Sequence, residues 1–206
     1  MERDLDKALA DILTIRTQIA AGTSFQGYGP AAVATTGALA AGTAVAQFLW
    51  LPDPTASPVT FLAGWIATAV LSLVIVGLEM RARARRHHTG LADEMIYAAI
   101  ENFLPAGAAG AFLALVVVRF APEATWMVPG LWQVLVGLGT FASARSLPRG
   151  VPLVAGWYLV SGLAVLMLAS EDQRLSPWLM GIPFIVGQLA MAALLHTASG
   201  GHDGDA

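Results

Sequence analysis

Five polar residues stand where this chain turns apolar: Glu79, Glu101, Asn102, Arg145 and His196. Glu79, Glu101, Asn102 and His196 could serve in acid–base chemistry, and Arg145 could neutralise Glu101 or Glu79. An ionisable residue at membrane depth is a functional candidate and usually has a partner. The same residues also suit a structural ion pair, or a carboxylate shallow enough to reach water. No Ser–His pair and no carboxylate–His–His spacing sets up a nucleophile or a metal site. There is no cysteine, so disulfides, thiolate metal sites and cysteine nucleophiles are excluded. His87 and His88 are adjacent, and on a helix they project about 100° apart, a poor chelate. Lys7 is the one lysine and lies outside every apolar stretch, which excludes a buried Schiff base. No metal and no cofactor are expected.

The elements that must hold these residues are membrane spans. The chain has 206 residues, of which 56% are hydrophobic and 12% charged. Soluble domains carry about 25% charged residues, so this chain lacks a polar skin. Crossing a hydrocarbon core of about 30 Å takes roughly 20 apolar helical residues. Six stretches have that length: 29–51, 59–80, 96–120, 126–145, 151–169 and 177–197. Pro52-Asp53-Pro54, Pro122-Glu123 and Glu171-Asp172-Gln173-Arg174 mark short breaks. The sequence therefore predicts an all-α bundle of six spans, arranged as three antiparallel hairpins. Gly64, Gly130 and Gly181, each followed fifteen residues later by Glu79, Arg145 and His196, suggest a threefold repeat of those hairpins.

Orientation follows from the basic residues. Nine would lie on one side: Arg3, Lys7, Arg16, Arg81, Arg83, Arg85, Arg86, Arg145 and Arg149. Two, Arg119 and Arg174, would lie on the other. The richer side is cytoplasmic, so both termini are expected there. Trp50, Trp126 and Trp178 fall at the opposite face, at headgroup level. Arg81, Arg83, Arg85 and Arg86, with His87 and His88, form a stop-transfer flank that also suits anionic lipid headgroups. No aromatic residue is interleaved and no compact reading domain surrounds the tract, so nucleic acid is not an expected partner.

Residues 1–22 read as a cytoplasmic amphipathic helix, 23–198 as the membrane domain and 199–206 as a flexible cytoplasmic tail. The first segment is charged and has no unbroken apolar core, unlike a cleavable signal peptide. Its Leu5, Leu9, Ile12, Ile15 and Ile19 form one stripe at three- and four-residue steps. That stripe packs under the bundle, lies on lipid or docks a partner. Ala34, Gly37, Ala38, Ala41, Gly42 and Ala46 in the first span, Gly107 and Gly110 in the third, and Gly137 and Gly139 in the fourth allow close helix approach. Gln47, Gln133 and Gln188 are expected to bond across helices. Trp65, Trp132, Trp157 and Tyr158 pack the core or line a ligand cavity.

The segment Ile15-Arg-Thr-Gln-Ile-Ala-Ala-Gly-Thr-Ser-Phe-Gln-Gly-Tyr-Gly-Pro30 resembles a family of uncharacterised bacterial six-helix membrane proteins. Those are associated with neighbouring winged-helix regulator genes, which implies a cytoplasmic regulator as partner but no activity. The size and small-residue first helix are similar to substrate-binding subunits of energy-coupling-factor vitamin transporters, where that helix docks a membrane subunit. The expected function is a non-catalytic binding, regulatory or accessory subunit of the inner membrane. A small-molecule transporter or its substrate-binding subunit is the alternative, and an intramembrane enzyme the second. Expected partners are membrane lipids, and either another membrane subunit or a cytoplasmic regulator.

Overall fold

The computed structural model of the protein describes residues 29–87, 91–144, 147–148 and 150–200. Six α-helices account for most of them: α1 (Pro30–Trp50), α2 (Pro58–His87), α3 (Leu91–Phe120), α4 (Val128–Ser143), α5 (Val151–Ala169) and α6 (Pro177–Gly200). A 3-10 segment, Pro122–Met127, leads into α4. There is no strand among the described residues. The amino-terminal stripe from Leu5 to Ile19, Arg145, Arg149 and residues 201–206 lie outside the described residues.

Proline opens most of these helices. Pro30, Pro58, Pro129, Pro152 and Pro177 occupy the first or second helical position. Their missing N–H costs nothing there, because the first turn has no intrahelical acceptor for it. Between α1 and α2, the Asp53 carboxylate accepts the amides of Thr55 and Ala56 at 3.0 and 3.2 Å, which fixes the turn. The amide of Leu175 donates to Thr55 Oγ1 at 3.0 Å and ties the α5–α6 loop to this turn.

Among the described residues, five helices are long and apolar enough to cross a membrane: Pro30–Trp50, Pro58–Ala82, Phe103–Phe120, Val151–Ala169 and Pro177–Ala198. This is the composition of a multi-pass membrane protein. The expected sixth span, 126–145, is not a full-length helix. Its α-helical part, α4, has 16 residues, about 24 Å at 1.5 Å per residue. The physical cause is the pair Pro122 and Pro129, which holds the preceding six residues in a 3-10 turn and starts the α-helix only at Val128. α2 and α3 depart in the other direction. Each has 30 residues, about 45 Å, so the basic tract from Arg81 to His87 continues α2 instead of ending it.

The three hairpins in series are also corrected. Chain neighbours do run antiparallel, but the broadest interfaces are α4 with α5 and α1 with α6. Around the bundle the order is α2, α1, α6, α5, α4, α3, and α2 touches α3 only slightly. Small residues select these partners. A β-carbon on Gly162 would lie 2.7 Å from the Gly130 carbonyl oxygen, and one on Gly130 would lie 2.8 Å from that of Gly162. Backbones that close leave no room for any side chain, and such approach is what holds helices together in lipid. On α1, Gly37 faces Gln188 of α6, and Ala44 faces Gly181. In a threefold repeat of hairpins each glycine would face the first helix of its own hairpin, but only Gly64 does so, meeting Gln47 of α1; Gly130 meets Gly162 and Leu166 of α5, and Gly181 meets Ala44 of α1. They do not occupy equivalent places.

Candidate binding site in the bundle interior

The rim residues singled out from the sequence lie on several helices, and Arg145 lies outside the described residues. Glu79 is half-buried near the end of α2 and is engaged by a neighbouring group. Glu101 on α3 and His196 on α6 are exposed. Asn102 lies on α3, and Arg83, Arg85 and Arg86 on the last turns of α2, where Arg81 is exposed. Among the described residues, no three His, Asp or Glu side chains gather closely enough to hold a metal ion.

The interior is different. Helix α6 is packed against α1, α5 and α4, and Pro183 lies inside it. A proline has no N–H, so the carbonyl four residues earlier, Leu179, loses its helical donor. Gln133 of α4 supplies a replacement. Its Nε2 donates to the Leu179 oxygen at 2.9 Å, and the residue is wholly buried. From α5, the Trp157 indole donates to the Pro183 oxygen at 2.9 Å. The break in α6 is thus clasped from two sides. Pro105 leaves the Glu101 carbonyl of α3 in the same position, but at an exposed residue where water can serve.

The expected cross-helix amides include two with assigned acceptors. Gln47 Nε2 donates to the Phe61 oxygen at 2.8 Å, joining α1 to α2, and Gln133 joins α4 to α6. Thr43 and Thr68 share a hydrogen bond between α1 and α2. The buried hydroxyls of Thr36, Thr140 and Ser161 bond back to carbonyls of their own helix.

Among the described residues, four buried polar atoms remain without a hydrogen-bond partner: Gln47 Oε1, Trp65 Nε1, Gln133 Oε1 and the Tyr158 hydroxyl. Each comes from a different helix, and three of these residues, Trp65, Gln133 and Tyr158, touch the Leu179–Gly187 stretch of α6. Gln133 bonds Leu179. The Trp65 ring packs on Phe184 and beside Gly181. Gln47 lies instead against Phe61 and Gly64 of α2. The Tyr158 ring is 5.4 Å from that of Phe184, and its hydroxyl abuts Gly187, where a β-carbon would not fit. Gln188 flanks the hydroxyl without reaching hydrogen-bond geometry. A buried polar group left unsatisfied costs about 1–3 kcal/mol, so this interior is poised to accept something that bonds. Every fully buried polar side chain among the described residues is neutral. The three at α6 therefore suit an uncharged guest, offering the Trp65 N–H and the Tyr158 O–H as donors and the Gln133 oxygen as an acceptor.

Trp65, Tyr158 and the glutamines were legible as polar or aromatic features of the spans. Phe184 was not, nor was the pairing of Gln133 with Pro183. The signal for the latter was a proline inside an apolar span together with an isolated amide in another span. Of the other aromatic candidates, Trp132 donates to the Gly110 oxygen at 2.9 Å and braces α4 on α3. Comparison with protein-family models, curated proteins and solved structures found no match for this chain.

Proposed function

We propose that this is a six-span protein of the bacterial inner membrane, with both termini cytoplasmic, and that it works without catalysis as a binding subunit holding an uncharged small molecule among its helices. One observation carries the reading. Three neutral, buried side chains from three helices, Trp65, Gln133 and Tyr158, touch a single stretch of α6, and each keeps a polar atom without a partner, whereas Glu101 and His196 stay exposed at the rim. The sixth span is α4 together with the 3-10 turn before it. At about 2.0 Å per residue for that turn and about 1.5 Å for α4, the two reach past a hydrocarbon core of about 30 Å. Orientation rests on the nine-to-two distribution of basic residues. Native mass spectrometry of the protein, extracted in mild detergent, tests the binding reading. A co-purifying non-lipid molecule of low mass is expected. Protein carrying nothing but lipid and detergent would count against it.

A second reading, transport, draws on the sparse contact between α2 and α3, the weakest closure around the bundle. Cysteine placed at Phe184 separates the two, since the chain has no cysteine of its own. Reaction with impermeant thiol reagents from both membrane faces would mark a carrier. Reaction from one face or neither would mark a binding subunit.

A further inference from the structure

Phe184 occupies an aromatic slot whose polar atoms it cannot satisfy. Its ring lies 6.5 Å from that of Trp65 on α2 and 5.4 Å from that of Tyr158 on α5. Trp65 is 4% exposed and Tyr158 is 2% exposed, and the polar atom of each has no partner. A phenyl ring has no lone pair to offer an indole N–H or a phenol O–H. Phe184 itself is only half-buried, so its ring has somewhere to go. Its backbone sits one residue after Pro183, where the helical ladder is already interrupted.

We infer that Phe184 is a displaceable plug, and that the slot between Trp65 and Tyr158 accepts an uncharged, ring-sized molecule with an amide-like edge. This rests on the binding reading above and specifies its ligand. The ring takes the place of the Phe184 side chain against the two aromatic faces. The carbonyl of the edge accepts from the Trp65 N–H or the Tyr158 O–H. The N–H of the edge supplies the donor lacking at the amide oxygen of Gln133, whose nitrogen bonds Leu179 on the same helix as Phe184. A carboxylate or ammonium is refused, because no buried side chain among the described residues carries a counter-charge and an unpaired charge in a dry site is costly.

Thermal melting of the full-length protein in detergent, with benzamide, toluene and benzoate as matched probes, tests the assignment. Benzamide should raise the melting temperature, and toluene and benzoate should raise it less or not at all. The benzamide shift should be lost in Trp65→Phe and in Tyr158→Phe. It should grow in Phe184→Ala, because an emptied apolar cavity takes ring-sized guests. Phe184→Leu serves the same purpose if the alanine variant does not fold. A benzamide shift no larger than that of toluene, or one unchanged in both Trp65→Phe and Tyr158→Phe, overturns the slot. So does the absence of any shift in the emptied variant. If these fail while native mass spectrometry finds a retained small molecule, the binding reading survives and only the slot is wrong. If both fail, the binding reading falls with it.

Discussion

Gln133 of α4 provides the hydrogen bond that Pro183 removes from α6. Its Nε2 lies 2.9 Å from the Leu179 oxygen, the acceptor that residue 183 would serve in an unbroken helix. The two residues are therefore energetically coupled although their side chains belong to different helices. Gln133→Leu should strand a buried carbonyl and cost about 1–3 kcal/mol. In a Pro183→Ala background, the restored N–H should supply Leu179, and the same substitution should then cost less. Melting of the two single variants and the double variant gives the coupling, expected to be about 0.5–2 kcal/mol. Strictly additive effects would dissociate Gln133 from the proline.

Helix approach in this bundle depends on glycines whose environments differ sharply. A β-carbon on Gly162 would meet the Gly130 carbonyl oxygen at 2.7 Å and the Val134 nitrogen at 2.9 Å. Both are backbone atoms, so relief requires moving α4 away from α5. Gly156, in the same helix, has nothing within 4 Å of that position. Gly162→Ala should lower stability by about 1–3 kcal/mol through overpacking. Gly156→Ala should be neutral, or stabilising by up to about 1 kcal/mol from helix propensity. The melting temperatures in one detergent decide it, and equal effects would remove the close α4–α5 approach as a determinant.

Much of the local structure was written in residue types. Residue types placed the starts of α1, α2, α4, α5 and α6 within two residues, whereas α3 begins at Leu91, five residues before the expected 96. The partner of each helix was not. A helix such as α5 is apolar on nearly every side, so no polar stripe tells which face is buried. Water normally imposes that pattern, and lipid does not. Packing was instead decided by reciprocal small residues such as Gly130 with Gly162, whose pairing is invisible until both helices are placed. The same blindness applies to the interior. Trp65 and Tyr158 read equally as core packing and as cavity lining, because the decision lies in whether their N–H and O–H find partners. The rim cluster was the most conspicuous chemistry in the sequence for an opposite reason. Charge stands out in an apolar chain wherever it sits, including at exposed positions such as Glu101 and His196.

The orientation is open to direct measurement. Ala56 is exposed in the α1–α2 turn, where Asp53 fixes the backbone without using its side chain. Arg85 lies in the last turns of α2, some twenty residues beyond Trp65 along one continuous helix. Single cysteines at the two positions should therefore be on opposite sides of the membrane. With the basic residues cytoplasmic, Ala56→Cys should react with an impermeant thiol reagent added to spheroplasts. Arg85→Cys should react only after permeabilisation. The reverse pattern would invert the topology, and labelling of both from outside would mean that α2 does not cross.

The amino-terminal stripe separates a partner-binding subunit from a self-contained bundle. Leu5, Leu9, Ile12, Ile15 and Ile19 recur at three- and four-residue steps, a spacing that on a helix would make one apolar face in need of a cover. If a partner provides it, Leu9→Ser combined with Ile12→Ser should abolish association and leave the bundle inserted and equally stable. Burial of each such side chain is worth about 1.5–3 kcal/mol. Losing two would weaken a complex by orders of magnitude, since each 1.4 kcal/mol is about tenfold. If the stripe instead braces the helices above it, the same variant should melt at a lower temperature with no partner present. The two outcomes are read from one preparation, by a melting curve and by the proteins retained on a pull-down from native membranes. A lowered melting temperature with an unchanged set of retained proteins would end the docking role and leave the interior around Phe184 as the place where this protein meets other molecules.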